Sequence, residues 1–169
     1  RLFAEGVFNA AFIPSYTEEN IISKADGKKF ADDVLNLLII VLLGIIFIVE
    51  IFTPTIVYLI APGFYKDLEK FNLAVELTRI TFPFLFFVSL SSFFSGILNS
   101  NNKFAAAAAA PIILNIFLIL SLFISYFFKL NFELNLSYAV TIAGLFQLIF
   151  LIFFTKYYYK PSINFKIRI

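Results

Sequence analysis

The sequence predicts an all-α polytopic membrane protein, a bundle of helices that cross a bilayer. Two observations carry that expectation. Hydrophobic residues make up 61% of the chain and charged residues 14%, with a mean hydropathy of +0.93; a soluble domain has roughly 45–50% apolar and about 25% charged residues. The excess sits in four long stretches with few or no charges, each able to supply the roughly 20 residues that a helix needs to cross the hydrocarbon core.

Taken in order, Leu2–Ile13 is short, apolar and rich in small residues, ends at Pro14, and reads as the second half of a membrane helix. The sequence has no Met and starts at Arg1, so it is expected to be an internal piece of a longer chain. Thr17–Asp33 carries Glu18, Glu19, Lys24, Asp26, Lys28, Lys29, Asp32 and Asp33 and is expected to be a loop in water. A span follows over about Val34–Glu50, with a kink or break at Pro54, because proline removes a backbone donor. Its interfacial end is placed at Ala61-Pro62-Gly63-Phe64. Lys66–Lys70 returns to water, and Phe71–Arg79 leads into the uncharged run Ile80–Asn102. The Asn-rich turn Ser100–Lys103 makes a tight hairpin with the next span, Phe104–Phe128. After Lys129–Glu133 the last span is Leu134–Thr155, closed by Lys156-Tyr157-Tyr158-Tyr159-Lys160, an aromatic and basic girdle suited to an interface.

Four spans place Thr17–Asp33, Lys103 and the C-terminal tail on one side, with Lys24, Lys28, Lys29, Lys103, Lys156, Lys160, Lys166 and Arg168. The other side has Lys66, Lys70, Arg79 and Lys129. The first group is therefore expected to face the cytoplasm.

Several chemistries are excluded. There is no Cys and no His, which removes disulfides, thiolate nucleophiles and the usual nitrogen ligands of zinc. No HExxH, GxSxG or Walker loop occurs, so neither an enzyme nor a cofactor or metal site is expected. The basic residues are scattered over both sides of the membrane, which argues against nucleic acid.

Polar groups inside the spans are the candidates for function. Counting back from Pro14 at 1.5 Å per residue places Arg1 about 20 Å into a core about 30 Å thick. Glu5 follows at i+4 and Asn9 at i+8, so guanidinium, carboxylate and amide share one helix face. An ionised group at that depth faces a water-filled cavity or a partner helix. Arg1 can offer a planar fork to phosphate oxygens, with Glu5 holding or balancing it; an Arg–Glu clip between helices is the structural alternative. Ser89, Ser92, Ser95, Gly96 and Asn99 form a small, polar ribbon for which close helix packing is a sufficient explanation. Asn115, Thr141, Gly144 and Gln147 are read as interhelical hydrogen-bond positions, with a cavity-lining role as the alternative. The run Ala105–Ala110 is read as a closely packed helix end, and Glu50 as a residue near the outer interface.

The word Arg1-Leu2-Phe3-Ala4-Glu5-Gly6-Val7-Phe8-Asn9-Ala10-Ala11-Phe12-Ile13-Pro14 resembles the RxFAEGAFxxAFVP segment in the second membrane helix of the MurJ/MviN lipid II flippase family. Ala61-Pro62-Gly63-Phe64, Arg79-Ile80-Thr81-Phe82-Pro83-Phe84, Gly96-Ile97-Leu98-Asn99-Ser100 and Ala110-Pro111-Ile112-Ile113-Leu114-Asn115-Ile116 recur in the family's order and spacing, and Ile163-Asn164-Phe165 looks like its connection to the seventh helix. The resemblance implies the multidrug/oligosaccharidyl-lipid/polysaccharide exporter fold. Residues 1–160 would be a partial N-terminal lobe of a two-lobe exporter, from the second half of helix two through helix six, and 161–169 the start of the connection to the second lobe. It further implies a multi-pass protein of the bacterial inner (cytoplasmic) membrane. This protein would carry lipid-linked peptidoglycan precursor from the inner to the outer leaflet by alternating access. Its partners would be lipid II, membrane lipids and the remaining helices of the full-length chain. Of the family's essential cavity cations only Arg1 has a counterpart here, Glu5 matches an acidic position in the same helix, and Asn9 completes the expected substrate-binding set. A drug or polysaccharide exporter of the same fold and a non-transporting membrane scaffold subunit are the alternatives.

Overall fold

A computed structural model describes residues 8–162. Among these, six α-helices follow one another: α1 (Phe8–Ile22), α2 (Lys24–Ile60), α3 (Leu68–Thr81), α4 (Phe84–Ser100), α5 (Phe104–Phe128) and α6 (Phe132–Thr155), with a 3₁₀ turn at Pro62–Lys66 before α3. Four helical segments are long and apolar enough to cross a membrane: α2, α3 with α4, α5, and α6. The protein is thus an all-α polytopic membrane bundle. α4 lies at its centre, packed against α1, α2, α5 and α6, and it contributes Phe93, Ile97 and Leu98, which are essentially fully buried.

The polar stretch expected to be a loop is helical. α1 runs on to Ile22, α2 starts at Lys24, and Ser23 alone separates them. The cause is local. The Ser23 hydroxyl accepts from the Asp26 amide at 3.0 Å and donates to the Asp26 carboxylate at 2.7 Å, a reciprocal cap that starts a helix at once. Gly27 then lets α2 approach α1 closely, since a Cβ there would lie 2.9 Å from the Asn20 backbone.

Of the kink or break expected at Pro54, the break is absent, for α2 passes through it to Ile60. Pro54 deprives the Glu50 carbonyl of its donor, and the Thr53 hydroxyl supplies one at 3.2 Å, while also bonding the Val49 carbonyl at 2.6 Å. The chain does bend at Phe82-Pro83, between α3 and α4. There the Thr141 hydroxyl of α6 donates to the Ile80 carbonyl, so a neighbouring helix satisfies backbone that hydrocarbon could not.

The hairpin at Ser100–Lys103 forms as expected, with Asn102 in the left-handed region at φ 58°, a conformation that asparagine tolerates. Lys129 takes the same conformation after α5, and the Leu130 amide returns to the Ser125 carbonyl at 3.1 Å, which closes that helix.

Side chains are distributed inside out. Phe47, Phe123 and Phe127 are among the many bare aromatic and aliphatic groups on the outer faces, whereas Ser91, Ser92, Ser121, Ser125, Ser137, Gln147 and Thr155 are buried. Lipid accepts the first set, and small hydroxyl residues let helices pack closely. The closest approach is at Gly144, where a Cβ would lie 2.6 Å from the Phe84 ring and 3.2 Å from Phe87 Cβ.

The end of α6 is tied to the polar lead of α2, outside the apolar run that starts at Val34. Tyr159 donates to Asp32 Oδ1 at 2.6 Å, the Ser162 amide donates to the same atom at 2.9 Å, and Lys28 bonds Asp32 Oδ2 at 2.7 Å and Ser162 Oγ at 2.6 Å. Burial by itself would raise the Asp32 carboxyl, but the bonds from Lys28, Tyr159 and Ser162 outweigh it and hold the group below its ordinary value of 3.8. Burial and the adjacent Asp32 push the Tyr159 phenol up.

Two outcomes follow for the intact protein in detergent. Gly144→Leu should cost about 1–3 kcal/mol by overpacking, whereas Gly44→Ala, with nothing within 4 Å, should be neutral or slightly stabilising; equal thermal shifts would contradict the packing described. A carboxyl with a lowered folded pKa stabilises fully above its ordinary value and loses that contribution as pH falls through the lowered one. Asp32→Asn should therefore flatten the acid limb of the Tm–pH curve as pH falls below the ordinary carboxyl value of 3.8.

Candidate functional site

Of the three residues singled out for substrate contact, Arg1 and Glu5 lie outside the described residues. Asn9 sits in the first turn of α1. It lies at the edge of a cleft of about 520 Å³ between α1, α4, α5 and α6. Ser91, Ser92, Ser95 and Asn99 of α4 and Gln147 of α6 give the cleft its polar wall, and Phe104, Ala107, Ala108, Ala110 and Pro111 of α5 its apolar one.

The positions of these groups follow from helix geometry. Ser92, Ser95 and Asn99 are spaced by three and four, so one face of α4 carries all three. Gly96 lies between them and is buried against α1: a Cβ there would meet Asn9 Oδ1 at 2.8 Å and the Phe12 ring at 3.0 Å. The ribbon therefore does two things. Gly96 lets α1 close on α4, and the hydroxyl and amide groups beside it line the cleft. Phe12 fixes the approach by packing on Phe93, ring centroids 5.1 Å apart, and by stacking on Tyr16 at 5.5 Å.

Asn9 Oδ1, Ser91 Oγ and Ser92 Oγ are buried and have no hydrogen-bond partner among the described residues. Buried polar atoms of this kind are rare in native structures, and these three lie on residues that border the same cleft. The wall is neutral among the described residues, so it can orient hydroxyls and amides but cannot by itself balance a diphosphate.

Other polar residues fall out differently. Gln147 is buried on the cleft. Thr141 makes an interhelical bond. Asn115 is exposed on α5 and makes no hydrogen bond to another helix among the described residues, because the α5 face that packs on α6 is set by Ser121 and Ser125, off the Asn115 row. Glu50 is half-buried, with Oε1 lacking a partner. The alanine run, read as packing alone, contributes Ala107, Ala108 and Ala110 to the cleft, since their small side chains leave space. Ser91 and the Asp32–Tyr159 tie went unremarked in the sequence. Ser91 breaks the three-and-four spacing of its neighbours, and no local pattern links residues 127 positions apart.

A bundle with an apolar exterior and four segments long and apolar enough to cross a bilayer defines a polytopic membrane protein. The particular family is also shown: the family model described as lipid II flippase MurJ matches residues 1–168, and the chain belongs to that family. It is 42% identical to a probable lipid II flippase MurJ of Rickettsia prowazekii (strain Madrid E) over 167 residues, covering 99% of this chain and 32% of the relative. It is 48% identical to one of Rhizobium tropici over 121 residues, covering 70% and 23%. Among solved structures it is similar to a lipid II flippase MurJ in an inward closed conformation, with a TM-score of 0.77 and 28% identity over 98% of this chain and 34% of that one. The chain thus spans about a third or less of the length of these relatives.

A double-mutant cycle tests the contact beneath the cleft. Gly96→Ala should lower stability by about 1–3 kcal/mol, and Asn9→Ala in the same molecule should recover part of the loss because it removes one of the two clashing groups. Strict additivity of the two thermal shifts would refute the contact.

Proposed function

We propose that this chain is part of the N-terminal lobe of a lipid II flippase, with residues 1–160 in the lobe and 161–169 beginning the connection to a second lobe. The whole protein would sit in the bacterial inner membrane and move lipid-linked peptidoglycan precursor from the inner to the outer leaflet by alternating access, without covalent chemistry. The family match over nearly the entire chain carries this reading, and it favours a flippase over a drug or polysaccharide exporter or a scaffold subunit.

The physical argument concerns charge. A precursor carrying a diphosphate brings anionic oxygens to membrane depth, where they need cations and donors more than acids or nucleophiles. In this reading Arg1 supplies a forked, charge-assisted contact to phosphate oxygens, Glu5 balances the guanidinium when the cavity is empty, and Asn9 offers its amide to the headgroup. The neutral polar cleft that Asn9 adjoins supports the reading, because it provides hydroxyl and amide partners for sugar or peptide groups next to the cation.

Replacing Arg1 in the intact protein tests the assignment. Arg1→Ala should weaken precursor binding by about tenfold to a hundredfold, the value of a hydrogen bond to a charged group, and should abolish growth of a flippase-depleted strain. Asn9→Ala should reduce growth without abolishing it. Wild-type growth of the Arg1 variant at equal expression would overturn the role given to Arg1.

A further inference from the structure

A second pocket, of about 380 Å³, lies at the membrane boundary beyond the apolar runs of α2 and α6. Lys24 and Lys28 enter it from the start of α2, Lys160 from the segment after α6, Asn20 from α1 and Asn101 from the α4–α5 hairpin, with Tyr157 at its edge. No carboxylate lines it. Lys28 is engaged with Asp32 and Ser162, so its charge is largely offset. Lys24 and Lys160 are exposed and make no ion pair among the described residues. The start of α2 adds the positive end of a helix dipole.

We propose that this pocket binds the phosphodiester headgroup of an anionic membrane phospholipid. Two lysines without an ion pair among the described residues, Lys24 and Lys160, a third, Lys28, already shared with Asp32, and two side-chain amides give it the chemistry of an oxyanion site. Its surroundings favour a lipid over a free phosphate. Ile21 and Ile22, directly after Asn20, are 79% and 69% exposed, and Tyr157 is 75% exposed. Phe153 and Phe154 stand bare one turn before the girdle, and Lys156 Nζ lies 3.9 Å from the centre of the Phe153 ring, an ammonium drawn back along an apolar surface as at an interface. A phosphate held between Lys24 and Lys160 would have acyl chains against those bare groups, and basic pockets between helices at an anionic leaflet hold headgroups in this way. The assignment rests on the membrane-spanning fold and is independent of the substrate given to the cleft.

The test uses the intact protein in detergent and native mass spectrometry, with dioleoyl-phosphatidylglycerol as the probe and dioleoyl-phosphatidylcholine as the neutral comparison. The variants are Lys24→Gln/Lys160→Gln and, from the opposite end of the bundle, Lys66→Gln/Lys70→Gln. All four side chains are exposed, so thermal unfolding should show wild-type stability. The first pair should lose phosphatidylglycerol retention by at least about tenfold, since each interfacial lysine contributes on the order of a fivefold effect. Phosphatidylcholine retention and the second pair should remain at wild-type levels, and excess inorganic phosphate should not displace the lipid. Equal retention by the first pair and wild type, an equal loss in the second pair, or displacement by inorganic phosphate would each overturn the proposal.

Discussion

Backbone amides and carbonyls inside hydrocarbon have no water to turn to, and side-chain hydroxyls answer that constraint at two of the irregularities in this bundle. Where Pro54 removes a donor, Thr53 replaces it from within the helix. At the bend before Pro83, Thr141 reaches across from α6. Serine, threonine and glutamine turn inward beside the buried Phe12, Phe93, Phe94 and Ile97, while the outer faces carry bare phenylalanine and isoleucine. α4 becomes the central helix because its small residues let other helices reach its backbone while Phe93, Ile97 and Leu98 fill the spaces between them.

Much of this architecture was legible in the sequence because length and charge alone decide whether a helix can span a bilayer. The runs Ile80–Asn102, Phe104–Phe128 and Leu134–Thr155 read correctly as spans, and the Asn-rich hairpin read correctly as a turn. The error at Thr17–Asp33 has a physical source. Polarity points to a loop in water with at most a surface helical turn, yet a polar segment in water is free to be helical throughout, and the Ser23 and Asp26 pair has the pattern of a cap. At Pro54 the helix runs on without a break, with the Thr53 hydroxyl folded back on the Val49 and Glu50 carbonyls.

The candidate site was legible only in part. Helical spacing placed Ser92, Ser95 and Asn99 on one face, but it could not say that Asn9 would lie over Gly96 or that alanines of α5 would form the opposite wall. Those are facts of packing between segments far apart in sequence. Asn115 illustrates the converse: an amide in an apolar run signals a constraint, but the facing of the helix, set by Ser121 and Ser125, decides which neighbour it meets.

α2 contains 37 residues, about 55 Å at the helical rise, well beyond the thickness of the hydrocarbon. Its first turns therefore project past the lipid as a rigid arm, and Asp32 on that arm grips Tyr159 and Ser162, where the chain leaves the bundle. A change in the tilt of this rod would carry Tyr159 and Ser162 with it, so the two ends of the chain's membrane bundle that meet at Asp32 move as one piece.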